Sequence, residues 1–194
     1  MDELDAIDLP ACLRIQSHAN LLMNRRLHAA MAPLTAAELQ APRTGFFPTL
    51  MATLNHILGV DQYYIAALCC EFEPDQVWHR FVPAQTLSEL AAAQLISDQR
   101  LVVFAAALDA AACSRSVQMP RGGGRVQRDR VAHVMAHLFM HQTHHRGQVH
   151  AMLSGTSVAP PQLDEFMMPS EAHLRVPDMA RAGWLEAQVY GSGG

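Results

Sequence analysis

From Arg128 to Ser154 the chain contains no proline and a single glycine, and the run ends at Gly155. Val131, Val134, Leu138, Val149 and Met152 fall on one stripe when this stretch is wound at about 100° per residue, so it reads as a long amphipathic helix. Gly155 supplies its stop. Six of the chain's 11 histidines, His133, His137, His141, His144, His145 and His150, crowd onto this one element. A rod so dense in imidazole, with one apolar stripe, must pack against partners that can satisfy ring nitrogens as well as methyl groups.

Three further helices are expected. Cys12, Ile15, Ala19 and Leu22 recur at helical spacing and place the first over residues 9 to 31, ahead of Pro33. Thr35 and Glu38 form a capping box for a short helical turn broken by Pro42. The second long helix spans Pro48 to about Glu71, and the third follows the capping box of Thr86 and Glu89 and continues to about Ala112. Between them, Glu73 to Pro83 reads as a linker. Ser116–Met119 and Arg125–Gln127 flank a glycine turn and predict a small hairpin before the last helix. Beyond Pro160-Pro161 lies an irregular tail with one short helix near Asp178 and an unstructured Gly-Ser-Gly-Gly end.

Four long helices without substantial strands predict an all-α four-helix bundle. The 194 residues, 50% hydrophobic, suffice for one sizeable core, so the expectation is a single domain with its core over about 10–165 and a tail over 166–194. All 14 basic residues are arginines, set against 18 acids, and the net charge of −4 argues against a nucleic-acid partner. No apolar run reaches the ~20 residues of a membrane span, and the acidic start at Met1 lacks a signal peptide's features. A cytoplasmic protein is expected. Cys12, Cys69, Cys70 and Cys113 show no CxxC spacing and read as small buried residues.

On the last helix, His141 and His145 fall inside the apolar stripe. His137 and His144 lie at its margin, His133 is further out, and His150 faces away. Two imidazoles one turn apart in a core are either satisfied by neighbouring groups or share a divalent cation, which neutral imidazoles reach at about 2.0–2.1 Å. Such a pair needs a third ligand from another helix. His56 is the only histidine of the apolar second helix, on the same side as Ala52, Val60, Tyr63 and Ala67, and is either a core residue or that ligand. Asp61 lies about 140° from His56, and Arg146 about 140° from His141, around their helices, which assigns them structural or ion-pairing roles.

The segment His133–Leu153, HVMAHLFMHQTHHRGQVHAML, with its core HQTHHRGQ, resembles the last helix of the DinB family. TLNHILGVDQYY, Thr53–Tyr64, is similar to that family's second helix, and HANLLMNRRL, His18–Leu27, to its first. The resemblance covers roughly residues 10 to 165. It implies a four-helix bundle, a homodimer, and a divalent cation held by His56, His141 and His145, with no departure at those positions. His144, His137, Gln148 and Tyr63 are candidates for orienting a ligand or substrate, and no catalytic residue is assigned.

Three neutral ligands leave an ion its charge and an open position, the arrangement of a catalytic site. The wider superfamily includes enzymes that use low-molecular-weight thiols, so the resemblance implies activation of a small thiol cosubstrate or of water by a transferase-like or hydrolase-like protein. The alternative is a non-catalytic stress-response protein whose metal is structural or sensory and whose function is dimerisation or partner binding. Imidazoles suit zinc, nickel and iron alike; zinc or nickel is the expectation.

Overall fold

A computed structural model describes residues 7–71, 75–121, 123–164 and 168–190. The first long helix, α1 (Leu9–Met31), begins where Asp8 accepts the Ala11 N–H at 2.8 Å and Pro10 occupies the first turn. After the capping box at Thr35 and Glu38 comes α2 (Ala36–Gln40). Then α3 (Leu50–Leu68) starts at Thr49, whose hydroxyl accepts from Ala52 N–H at 3.0 Å, and α5 (Leu87–Ala106) starts at the second capping box. The last long helix is α7 (Val131–Leu153). These four rods neighbour one another around the bundle in the order α1–α5–α3–α7.

Several boundaries differ from expectation, each for a local reason. The segment read as a linker holds α4 (Asp75–Arg80), which ends short of Pro83; a proline outside a helix removes none of its hydrogen bonds. The third long helix stops at Ala106 because Asp109 caps a new one, α6 (Ala110–Ser114), accepting from Ala112 N–H at 2.6 Å. The hairpin is longer than its sequence signal: β1 (Ser116–Arg121) pairs antiparallel with β2 (Arg125–Arg130), Ser116 opposite Arg130. Arg128–Arg130 therefore belong to a strand, and α7 starts three residues later than expected, with no capping side chain and directly out of β2.

Most of the tail is structured. A 3-10 turn (Pro169–Leu174), α8 (Val176–Ala182) and α9 (Glu186–Tyr190) follow, with Gly183 in the left-handed conformation that closes α8. Met179 and Val189 pack on Leu21 and Leu22, Trp184 meets the His18 ring edge-on, and Arg26 pairs with Asp178 at 2.6 Å, so this segment lies along α1. The terminal Gly-Ser-Gly-Gly is outside the described residues.

Two apolar clusters fill the bundle. One joins Leu13, Val60, Leu101, Val131 and Leu138; the other joins Leu27, Leu54, Leu90, Val149 and Leu153. Between them, on every rod, lie polar residues: Asn20 and Asn24 on α1, Asp61 on α3, Gln94 and Asp98 on α5, Gln142 and Arg146 on α7, all at most 3% exposed except Arg146 at 5%. The bundle is thus two greasy halves with a polar layer across its waist. No helix among the described residues is long and apolar enough to cross a membrane.

Candidate metal centre

At the level of that polar layer, on the seam between α3 and α7, three histidines converge. His56 Nε2 and His141 Nε2 are 3.0 Å apart, and the His145 ring centroid lies 4.6 Å from that of His56 and 4.4 Å from that of His141. One ring nitrogen from each falls within 4.8 Å of the others. Helical geometry explains the pair on α7: residues four apart stack on one face. The third comes from packing α3 directly against α7.

Neighbouring side chains hold the rings. Gln148 Oε1 lies 2.8 Å from His145 Nδ1, so with the proton on Nδ1 the bond leaves Nε2 with a free lone pair; the Gln148 amide nitrogen is 3.2 Å from His144 Nε2. Phe47, in the turn leading into α3, stacks on His56 at 4.2 Å and meets His145 edge-on. His141 Nδ1 is buried without a hydrogen-bond partner.

Electrostatics keeps the cluster uncharged. Burial, followed by the neighbouring His145, lowers the His56 pKa to about 4. Burial, then His145, His56 and the other rings, lowers that of His141 to about 3. Burial also lowers His145, partly offset by its bond to Gln148. At neutral pH these rings have lone pairs to offer, and binding a cation would displace little proton.

This donor set fits a divalent metal. Three imidazole bases facing one another can exchange at most one hydrogen bond per pair, and His141 Nδ1 already goes unpaired. Bonds of 2.0–2.1 Å in tetrahedral array would space nitrogens by about 3.3 Å, near what His56 and His141 already show. Among the described residues, no carboxylate or thiol joins the group. His56 and His141 retain partial exposure, and His56 borders a cavity of about 430 Å³ that Phe47, Met51, Trp78 and Phe81 also line.

The remaining candidates are distributed along this seam. His144 is exposed; its ring meets that of His145 edge-on at 4.8 Å, and its Nε2 lies 3.2 Å from the Gln148 amide nitrogen. His137 is exposed one turn along α7, its ring 6.3 Å from that of His141 and 5.1 Å from that of Tyr64. Tyr63 is not brought to the histidines: it is 1% exposed, its hydroxyl donates to the Pro120 carbonyl, and its ring packs near Trp78, so it supports the hairpin. His133 lies on the surface near Asp129, and His150 Nε2 donates to the Pro161 carbonyl at 3.0 Å. Phe47, Trp78 and Phe81 were not read as site residues; two lie on or just after α4, and the third on a turn without periodicity.

Asp61 and Arg146 point away from the rings into the polar layer. Gln94 donates to Asp61 Oδ2 at 2.7 Å and to Asp98 Oδ1 at 3.0 Å, and Asn24 donates to both Asp98 oxygens at 3.0 and 3.1 Å. Gln142 also donates to Asp61, while Arg146 Nη1 donates to Asn24 at 3.1 Å, to Gln142 at 2.9 Å, and to Asn20. Burial raises the Asp98 pKa to about 7 against the opposing pull of Asn24 and Gln94. Burial, then Asp98, raises Asp61 well above the usual carboxylate range. The Arg146 guanidinium, depressed by burial to about 10, remains a cation at neutral pH and offsets these acids.

The DinB family model matches residues 18–178, most of the chain and all three converging histidines. The chain belongs to the DinB family. No curated protein sequence matches it. Within this DinB chain the matched span runs from α1 into α8, so it takes in the bundle, the hairpin and the start of the tail.

Proposed function

We propose that this DinB-family protein is a metal-dependent enzyme in which His56, His141 and His145 hold one divalent cation, zinc or nickel first and iron as a third option. The observation that carries this reading is the convergence of three uncharged imidazoles from two helices beside a cavity. A cation bound there would lower the pKa of water towards ~7 or favour the thiolate of a small thiol cosubstrate. The reaction class that fits is transfer to or from such a thiol, or hydrolysis. Gln148 holds the His145 ring in one tautomer, Phe47 fixes the plane of His56, and Phe47, Trp78 and Phe81 give the cavity beside His56 an aromatic lining. A homodimer is proposed on the family's expected assembly.

The stacking of Phe47 over His56 favours a second reading, in which the cation is a structural or sensory element under a partial cover. Metal analysis of protein purified without a nickel column, repeated on His56→Ala, His141→Ala and His145→Ala, tests the site. About one equivalent per chain is expected in the parent and a near-complete loss in each variant; full metal in the variants removes the assignment. Thermal shifts of metal-loaded protein with small thiols then separate the two readings. A response confined to metal-loaded protein supports the enzyme, and none with any thiol supports the structural reading.

A further inference from the structure

Cys69 and Cys70 were expected in the core; both are exposed, at the C-terminal end of α3. The helix closes there in a Schellman arrangement: Glu71 N–H bonds to the Ala66 carbonyl at 3.0 Å, and Cys70 N–H to that of Ala67 at 3.1 Å. The position between them must be left-handed and normally holds glycine. Here it holds Cys70, with φ of 55°, the one non-glycine residue with positive φ among the described residues. A side chain kept where glycine would be less strained invites a functional explanation.

The surroundings supply it. Arg115 forks across the helix end, Nη1 donating to Cys70 Sγ at 2.8 Å and Nη2 to the Leu68 carbonyl at 2.8 Å. Arg100, from α5, pairs with Glu71 and hydrogen-bonds Cys69. Two cations from separate elements therefore bracket two adjacent, accessible sulfurs. Burial outweighs Arg100 at Cys69 and raises its pKa, whereas Cys70, held by Arg115, is the sulfur placed to attack. Inside a helix, neighbouring side chains diverge by about 100°; the turn at Cys70 takes the pair out of that constraint.

We propose that Cys69 and Cys70 form a redox-sensitive dithiol that a peroxide-class oxidant closes to a vicinal disulfide. The Cys70 sulfur attacks one peroxide oxygen, the O–O bond breaks, and water leaves, giving a sulfenic acid. The Cys69 sulfur then attacks that sulfur; the S–O bond breaks, the S–S bond forms, and a second water carries off the remaining proton. Two thiols lose two electrons and two protons, and one peroxide becomes two waters. Adjacent Cα atoms about 3.8 Å apart are closer than the 4.4–6.8 Å usual for disulfides, so the ring is strained and readily reduced, as a switch requires and a structural staple does not.

The chain has no lysine, so trypsin releases both sulfurs on the single peptide 44–80, separate from Cys12 and Cys113. After limited hydrogen peroxide on the folded protein and alkylation, that peptide is expected to have lost two hydrogens and to refuse the alkylating reagent. Dithiothreitol should reverse this, with Cys12 and Cys113 still alkylated. In Cys69→Ser the sulfenic acid should persist on Cys70 and be trapped by dimedone. Arg115→Gln should slow closure roughly ten-fold, because the attacking sulfur loses its cation. A dithiol that survives peroxide doses oxidising Cys12, separate oxidation of each sulfur to sulfinic acid, a bridge only between chains, or an unchanged rate in Arg115→Gln would overturn the proposal.

Discussion

Two polar clusters share α7 at the same level of the bundle, one residue out of step. His141 and His145 face the seam with α3, while Gln142 and Arg146, about 100° further round, face the bundle axis. The inner cluster brings its own cation: two carboxyls, a guanidinium and four amides, drawn from all four rods, bind one another. The outer cluster holds three bases of one kind, a nitrogen without a partner, and a path to solvent. Although Asp61 Oδ1 is left without a hydrogen bond, a set of complementary charges and amides is a fastening; an open set of identical donors is a receptor for something of opposite character. The adjacent placement also explains how a soft apolar seam can aim imidazoles, since Gln142 and Arg146 pin the rotation of the helix that carries them.

The largest separation between the clusters should appear on removing Arg146. Arg146→Met leaves Asp61 and Asp98 buried without their cation and should cost about 3–5 kcal/mol in urea unfolding. Metal-free His141→Ala should lose far less, because its ring makes few bonds the fold depends on. Equal losses in the two variants would erase the distinction. Next in size, Gln148→Leu should weaken metal affinity by about 10–100-fold, measured by competition with a chelator, while barely moving the melting point of the metal-free protein. Unaltered affinity would mean that His145 is oriented by packing alone.

The smallest effect is a difference in slope with pH. Histidines with pKa lowered from 6.5 to about 4 and about 3 favour the fold fully above 6.5, and that contribution fades as pH drops towards those values. Asp98, raised from 3.8 to about 7, does the reverse, favouring the fold below 3.8 and losing that contribution as pH climbs to about 7. His28, buried beside Arg146 and lowered to about 4, adds to the histidine side. Between about pH 4.5 and 6.5 the melting temperature of metal-free Asp98→Asn should therefore rise more steeply than the parent's, and that of His56→Ala/His141→Ala less steeply. Parallel curves for all three would contradict the opposed titrations.

The outer cluster was legible because its signal is periodic: two histidines four apart on an apolar stripe, and a single histidine on the only other strongly apolar helix. Thr35 with Glu38 and Thr86 with Glu89 made two starts legible as well, since the cap and its reciprocal partner lie within one turn. The inner cluster was legible only in part. Spacing gave Asp61 and Arg146 structural or ion-pairing roles but no partners: Asn20 and Asn24 lie more than a hundred residues from Arg146, and nothing local marks Gln142 as buried. Phe47 and Trp78 escaped for a related reason, since each is placed by a turn or a helix too short to show a period.

The passage from β2 into α7 has no intervening residue: Arg130 ends the strand and Val131 opens the helix, with Val131 N–H bonded to the Arg115 carbonyl at 2.9 Å. The hairpin therefore acts as the index mark from which every side chain of the rod is counted. One extra residue at that joint would advance the whole rod by about 100°, turning His141 and His145 to where Gln142 and Arg146 belong, carrying those two outward to the places of Thr143 and Gly147, and bringing Met140 and His144 to the seam. Length variation in this protein is consequently free at the glycine bend of the hairpin and forbidden a few residues later.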